Sequence, residues 1–186
     1  MKVAVIGTGK QFIKRVSALN FKEDRLVGIS YFTKHNYNLK RFDTATIYKN
    51  WKKCIDESKA DTIIICTPPY LHKKIVSYAL NKRKHVLCEK PMTQSAKDAK
   101  YLFILAKKKK RILKCGFNHR HHPGIILAKK IIQKKSFGNI LFSRCVYGIC
   151  GRKNYLREWR ANPKFSAGGN FIEHGIHLID LLRWFI

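Results

Sequence analysis

Short apolar, β-rich runs alternate with helical segments through the first 117 residues, and this alternation limits the fold more than any other feature. The strand-like runs are residues 2–6, 26–32, 46–48, 61–67, 85–88 and 111–117. Helical spacing of apolar residues separates them at 12–19, 51–58, 71–81 and 95–110, with Ser95 as the predicted cap of the last. The continuous β-branched run at 62–66 is typical of a strand buried on both faces. We predict an α/β fold with a doubly wound parallel sheet.

The pattern changes after Asn118. The remaining segments are a predicted helix at 124–135, a longer strand at 140–149, an irregular basic stretch at 151–169 and an apolar helix from about Asn170 to Ile186. We predict that residues 1–118 form one domain and that residues 119–186 form part of a second.

A glycine loop follows the first strand and opens the first helix. The loop is Gly7-Thr8-Gly9, with Lys10 and Gln11 beginning the helix. The first glycine permits a tight turn, and the second lets the backbone approach a pyrophosphate at the helix N-terminus. Phe12 occupies the place of a third glycine, so the helix must repack against the strand. This loop predicts a Rossmann-type NAD(P) site, although a strand–turn–helix corner without a ligand has the same signature.

The end of the second strand bears on the choice of cofactor. An acidic residue normally binds the ribose hydroxyls there, whereas this chain has Ser30, Tyr31 and Lys34, with Arg41 beyond them. The missing acid and the added cations favour a 2′-phosphate. We therefore expect these residues to contact NADP in preference to NAD; the alternative is that they are loop residues without a ligand.

Four segments together resemble the glucose–fructose oxidoreductase/inositol dehydrogenase/rhizopine-catabolism (Gfo/Idh/MocA) family. They are DTIIICTPPYLH at 61–72, HVLCEKPM at 85–92, GFNHRHHP at 116–123 and GGNFIEHGIHLID at 168–180. The resemblance covers the whole chain and includes the spacing between the segments. It implies a Rossmann-type domain followed by the beginning of an α+β substrate domain.

The resemblance also implies an activity and its site residues. The activity is hydride transfer between NAD(P) and a carbinol or ketone of a sugar, cyclitol or sugar nucleotide, as in a dehydrogenase or reductase. The implied cofactor contacts are Thr67, Pro68, Pro69, His72, Glu89, Lys90 and Asn118. The implied substrate contacts are Lys90, Arg120, Glu173 and His177. Lys90, His177 and Glu173 are the implied catalytic residues, and we hypothesise that the Lys90–Pro91 bond is cis.

Two clusters that contain histidine have an alternative interpretation as metal sites. One candidate set is Glu173, His174 and His177, and another is the run His119 to His122. The first set lacks a third protein partner at the usual ligand spacing. For the second, the family resemblance implies that Asn118 and Arg120 face the substrate cleft and that the histidines lie on the hinge. We expect no metal.

A net charge of +28 makes nonspecific attraction to nucleic acid physically plausible. The lysines are spread along the chain and accompany no nucleic-acid motif, so we expect no specific nucleic-acid partner. A basic nucleic-acid-associated protein remains the alternative.

The six cysteines form no Cys-x-x-Cys pair, and neither a signal peptide nor a membrane-length apolar run occurs. These features predict a cytoplasmic protein without a membrane partner.

Family members are usually longer than this chain. We therefore expect a fragment or a shortened product that lacks most of the second domain, with homo-oligomers only where that domain is complete. A non-catalytic dinucleotide-binding or assembly module is the corresponding alternative function.

Overall fold

The computed structural model describes residues 1–32, 42, 44–135, 137–148, 153–162, 165–166, 168–169 and 171–186. The chain divides into two compact units, Met1–Gly116 and Phe117–Ile186. In the first unit the strands are β1 (Lys2–Ile6), β2 (Arg25–Ser30), β3 (Thr46–Tyr48), β4 (Thr62–Ile65), β5 (His85–Cys88) and β6 (Leu113–Cys115). Its helices are α1 (Lys10–Ser17), α2 (Trp51–Glu57), α3 (Pro69–Asn81) and α4 (Ala96–Lys108).

The described strands of the first unit form one parallel sheet in the order β3-β2-β1-β4-β5-β6. Chain order reverses direction next to β1, so β2 and β4 lie on either side of it. This confirms the predicted doubly wound sheet. In such a sheet, ligands bind outside the carboxyl ends of the strands, at the point where the order reverses.

Two apolar clusters cover the two faces of the sheet. One packs α2, α3 and α4 against Ala4, Ile6, Ile63 and Ile65. The other packs α1 against Val3, Val5 and Ile29, among other residues. Alternate residues of β1 and β4 enter opposite clusters because successive strand side chains point to opposite faces. A buried strand therefore needs apolar residues at every position, which explains the continuous runs in the sequence.

Phe12 is accommodated by the repacking that its size demands. Its side chain is fully buried in the second cluster and meets Phe42 edge-to-face, with the ring centroids 5.5 Å apart. The ring thus fills the space between α1 and the sheet.

The predicted cap of α4 is also confirmed, since the Ser95 hydroxyl accepts a hydrogen bond from the backbone N–H of Asp98.

The second unit contains a 3₁₀ turn at Asn118–His121, then α5 (Pro123–Gln133) and α6 (Ile176–Phe185). Short 3₁₀ turns at Tyr155–Arg157 and Trp159–Ala161 lie between the helices, and one wide π-helical turn, Phe171–Gly175, precedes α6. Within the described part of the chain, every helix is too short or too polar to cross a bilayer.

The predicted strand at 140–149 is wrong over the residues that the structure describes. Residues 140–148 form no strand, and Ile149 lies outside the described residues. Leu141 and Phe142 are almost fully exposed. A strand requires a neighbour that pairs with its N–H and C=O groups, and none of the described strands pairs with this segment.

Candidate functional site

The glycine loop lies at the carboxyl end of β1 and is held tightly against its neighbours. The N–H of Gly7 donates to the carbonyl of Ser30, with N and O 2.7 Å apart. Gly7 has φ +96°, and a Cβ added there would lie 2.9 Å from the carbonyl carbon of Cys66. Only glycine fits this position, because a side chain would be strained and would strike backbone. A Cβ on Gly9 would approach no nearer than 4.0 Å to Cys66, so the space beside the start of α1 is open.

Buried hydroxyls surround this loop. Thr8, Ser30 and Thr67, which follow or end β1, β2 and β4, are each buried, and their hydroxyl oxygens have no hydrogen-bond partner among the described residues. Buried polar atoms are nearly always hydrogen-bonded, so three such oxygens at one edge of a sheet indicate a place for a polar ligand. The hydroxyls and the open helix start fit a dinucleotide, whose phosphate and ribose oxygens accept and donate hydrogen bonds.

Of the residues predicted to select NADP, the structure describes Ser30 and Tyr31. Ser30 is fully buried at the end of β2, and Tyr31 is half-buried beside it. Lys34 and Arg41 lie outside the described residues. Lys10 and Gln11 begin α1, with Lys10 exposed and Gln11 half-buried.

Glu89 directly follows β5 and forms a partly buried ion pair with Arg15 of α1. The Arg15 Nε donates to a Glu89 carboxylate oxygen at 2.5 Å, and both side chains are largely shielded from water. A Cβ on Gly116 would come within about 3 Å of both partners, so a larger residue there would press on the pair. The pair ties α1 to the strand end that carries Lys90. Whether Glu89 also contacts a cofactor stays a prediction.

Lys90 and Pro91 lie just beyond the carboxyl end of β5. The Lys90–Pro91 peptide bond is cis, as hypothesised. Lys90 is half-buried, and Pro91 is buried. Lys90 therefore lies at the edge of the sheet where ligands bind in such folds. Its two chain neighbours are held in place, because Glu89 is in an ion pair and Pro91 is buried.

His72, predicted to touch the cofactor, is fully buried in α3. Its Nε2 lies 2.8 Å from the carbonyl oxygen of Thr67, and its Nδ1 lies 2.8 Å from that of Pro91. Burial lowers the pKa of His72, against the opposing pull of the two carbonyls and of the Glu89 carboxylate. The ring thus contacts the backbone of two loops. Pro68 precedes α3 as its N-cap, and Pro69 is its first residue.

In the second unit Arg120 forms a two-pronged ion pair with Asp180 of α6. The Nε and Nη2 atoms of Arg120 lie 2.7 and 2.5 Å from the two carboxylate oxygens. The guanidinium also lies over the ring of Trp184, 5.7 Å from its centroid. The predicted substrate residue Arg120 is therefore bound to a carboxylate of its own unit. Asn118 begins the same 3₁₀ turn.

Glu173 and His177 lie in different kinds of helical turn. Glu173 belongs to the wide turn before α6 and accepts a 2.6 Å hydrogen bond from the Nε of Arg160. His177 lies in α6 and is buried. Its ring stacks on that of His119 with centroids 4.0 Å apart, and Phe117 meets it edge-to-face. His177 is thus packed against two rings of its own unit.

The stack continues beyond His119. Tyr147 lies against His119 at 5.8 Å between centroids, and His174 lies against Tyr147 at 5.5 Å. Among the described residues, no three His, Cys, Asp or Glu side chains converge as they do around a metal ion. His119, His174 and His177 instead belong to one ring stack with Tyr147.

Sequence reasoning missed the partners that hold the candidate residues. Arg15, Arg160 and Asp180 each pair with a residue that the sequence had singled out. Arg15 lies 74 residues from Glu89, and Asp180 lies 60 residues from Arg120. The one sequence signal for these partners was a charged residue without a predicted role. Such a signal is weak in a chain with 39 lysines and arginines.

Two family models match the chain. The model described as the oxidoreductase family with an NAD-binding Rossmann fold (GFO_IDH_MocA) matches residues 1–117. The model of the GFO/IDH/MocA C-terminal domain matches residues 125–186. The first match alone covers more than half of the 186 residues.

The chain is also similar to individual oxidoreductases. Glucose-6-phosphate 3-dehydrogenase of Bacillus subtilis is 31% identical over 191 positions, covering 100% of this chain and 53% of that protein. Levoglucosan dehydrogenase of Pseudarthrobacter phenanthrenivorans is 29% identical over 149 positions, covering 79% of this chain and 38% of that protein. The crystal structure of myo-inositol 2-dehydrogenase from Lactobacillus plantarum superposes with a TM-score of 0.87 at 27% identity, covering 100% of this chain and 56% of that one. The chain spans about half the length, or less, of these curated relatives.

Proposed function

This chain belongs to the Gfo/Idh/MocA family of NAD-binding oxidoreductases, and from that membership we propose that it binds a nicotinamide dinucleotide and oxidises or reduces a sugar-like substrate. One structural observation carries the proposal. The glycine loop and the buried hydroxyls of Thr8, Ser30 and Thr67 meet at the carboxyl edge of the sheet, beside the open start of α1. An edge with this chemistry suits phosphate and ribose oxygens.

The proposed chemistry uses residues that the family resemblance assigns. The nicotinamide, when bound, exchanges a hydride with the substrate carbon. Lys90 is proposed to hydrogen-bond the substrate oxygen and to stabilise the charge that develops on it. His177 is proposed to take the hydroxyl proton in oxidation and to return it in reduction, which suits a ring held in place by stacking. These roles come from the family resemblance.

The substrate class is proposed from the relatives. Three of the matching proteins are named as dehydrogenases of glucose 6-phosphate, levoglucosan and inositol, all of them polyhydroxylated rings. We propose a sugar, cyclitol or sugar nucleotide with a ring carbinol or ketone. Arg120 and Glu173 are proposed to line its site in the second domain, which we place at residues 119–186, after a cofactor domain at 1–118.

We further propose that NADP is preferred over NAD. The support is the end of β2, which provides Ser30 and Tyr31 where an acidic residue would repel a 2′-phosphate. Lys34 supplies the proposed positive charge. Homo-oligomers are proposed for a chain that contains the complete second domain.

A dinucleotide-binding or assembly module without turnover is the second candidate. The observation that favours it is that the glycine loop and the buried hydroxyls of Thr8, Ser30 and Thr67 all lie in the first unit, Met1–Gly116. Cofactor binding without oxidation or reduction of any polyol or ketose distinguishes it from the first candidate.

Calorimetric titration of the chain with NAD(H) and NADP(H) tests the proposal. We expect micromolar binding of at least one cofactor and tighter binding of the phosphorylated one. A Gly9→Ala variant is the matched control, since its methyl group enters the open space at the proposed pyrophosphate position. Absence of binding to the unaltered chain would refute the proposed function, and equal affinity would refute only the NADP preference. Turnover of a panel of polyols, compared with Lys90→Met, then tests the proposed catalysis.

A further inference from the structure

His72 connects two loops that the sequence treats as separate motifs. Thr67 lies two residues beyond the end of β4, in the Thr-Pro loop, and Pro91 directly follows Lys90 beyond the end of β5. The His72 ring lies between them, with each of its nitrogens 2.8 Å from one carbonyl oxygen. These carbonyls lie past the strand ends, where sheet pairing no longer satisfies them. A buried side chain supplies the contact instead.

The two partners of the ring have the same hydrogen-bonding character. A carbonyl oxygen only accepts, whereas a neutral imidazole has one N–H donor and one acceptor nitrogen. The neutral ring therefore donates to one carbonyl, and the protonated ring donates to both. In either form the ring donates a hydrogen bond to at least one of the two loops.

We propose that His72 is a positioning residue, which holds the Lys90–Pro91 loop against the Thr67 loop and thereby sets the position of the Lys90 amine. The proposal rests on the proposed function, because that is where the position of Lys90 matters. His72 itself has no exposed surface, so it acts through the backbone rather than on a ligand.

Two amide variants separate the two contacts. The side-chain nitrogen of asparagine stands close to the place of Nδ1, and that of glutamine stands close to the place of Nε2. His72→Asn thus retains a donor toward Pro91, whereas His72→Gln retains one toward Thr67. His72→Phe keeps a ring and removes both contacts.

The measurement is the acylation rate of the Lys90 amine in the full chain without cofactor, resolved by peptide mass spectrometry. Exposed Lys74, on the same helix, is the internal reference. We expect the Lys90 rate to change by about fivefold, the factor for one net hydrogen bond, in His72→Phe and His72→Gln. We expect His72→Asn to stay near the unaltered rate.

Val76→Ala controls for a general loss of stability. Val76 is fully buried on α3, and its truncation leaves a cavity without touching either carbonyl. An unchanged Lys90 rate in His72→Gln, or an equal change in Val76→Ala, would overturn the proposal. If His72→Phe fails to fold, the comparison of the Lys90 acylation rates in His72→Asn and His72→Gln still tests the proposal.

Cofactor titration separates this inference from the proposed function. If the unaltered chain binds neither NAD(H) nor NADP(H), the proposed function fails, while the Lys90 rates still report on positioning. If the unaltered chain binds a cofactor, we expect affinity to fall more in His72→Asn than in His72→Gln, because only the glutamine retains the contact to the Thr67 loop.

Discussion

Arg15 and Glu89 form a partly buried ion pair that joins α1 to the strand end next to Lys90, with Nε and the carboxylate oxygen 2.5 Å apart. The pair connects the helix that begins at the glycine loop with the Glu-Lys-Pro segment. Together with the His72 contact to Pro91, it anchors the backbone on both sides of Lys90. The lysine is thus placed by two side chains that come from different helices.

Removal of one partner of this pair should be costly. We expect Arg15→Met to lower the free energy of unfolding by about 3 kcal/mol, because it leaves the Glu89 carboxylate buried without its cation. Urea denaturation measures the loss. The double variant Arg15→Met/Glu89→Gln should recover part of the stability, since no buried charge then remains. Asp98→Asn, which removes the partner of exposed Lys73, should cost far less. Equal losses for the two single variants would show that the Arg15–Glu89 pair behaves as a surface pair.

The two glycines of the loop should respond differently to alanine. Gly7→Ala should destabilise the fold by about 2 kcal/mol or more, because it combines a positive φ with a backbone collision. Gly9→Ala should leave the free energy of unfolding within about 1 kcal/mol of the unaltered chain while weakening cofactor binding. Thermal denaturation and calorimetric titration of both variants measure the two effects. A Gly7→Ala protein of unaltered stability would contradict the geometry of the loop.

Asp61 should make stability depend on pH in the acid range. Partial burial raises the pKa of Asp61, but the hydrogen bonds that its carboxylate accepts from the N–H of Lys2 and the hydroxyl of Thr62 outweigh this and hold the pKa below its usual value. A lowered pKa in the folded state means that the stabilisation is present above the ordinary pKa of about 4 and is lost as the pH falls through the folded value. Asp61→Asn should therefore be less stable than the unaltered chain at pH 7, and the difference should shrink toward pH 2. Denaturation curves at several pH values test this; a difference independent of pH would contradict it.

Two cysteines should differ sharply in reactivity. Burial raises the pKa of the Cys54 thiol to about 12, and its side chain has no exposed surface, whereas Cys145 is exposed. The thiolate is the reactive form. We expect iodoacetamide at pH 8 to alkylate Cys145 readily and Cys54 only on unfolding. Peptide mass spectrometry before and after addition of urea gives both rates, and fast labelling of Cys54 in the folded chain would contradict its burial.

The fold was predictable because its signals are local. A buried parallel strand needs an unbroken apolar run, and a covering helix needs apolar residues every three or four positions; both patterns are visible in β4 and α4. The strand predicted at 140–149 failed for a related reason. Its residues carry a strand-like composition, but pairing depends on a neighbour, and composition alone contains no information about the neighbour.

The candidate residues of the site were predictable from motifs, and their environments were not. Gly7, Lys90 and His177 were identified from the sequence, yet nothing local indicated that His72 spans two carbonyls or that His119 stacks on His177. His72 shows the difference most directly. The motif suggested a residue at a ligand, whereas the structure places it in the interior, between backbone groups.

By itself, the sequence determined the doubly wound sheet, the position of the glycine loop and the family, because periodicity and motif spacing are properties of neighbouring residues. Only the tertiary structure decided which charges pair and which ring nitrogens meet which carbonyls. Arg15 and Glu89 are 74 residues apart, and Arg120 and Asp180 are 60 apart. Such contacts arise when the sheet brings distant strand ends to one edge or when helices pack. Their energies depend on distances of a few ångströms, which a one-dimensional pattern does not contain.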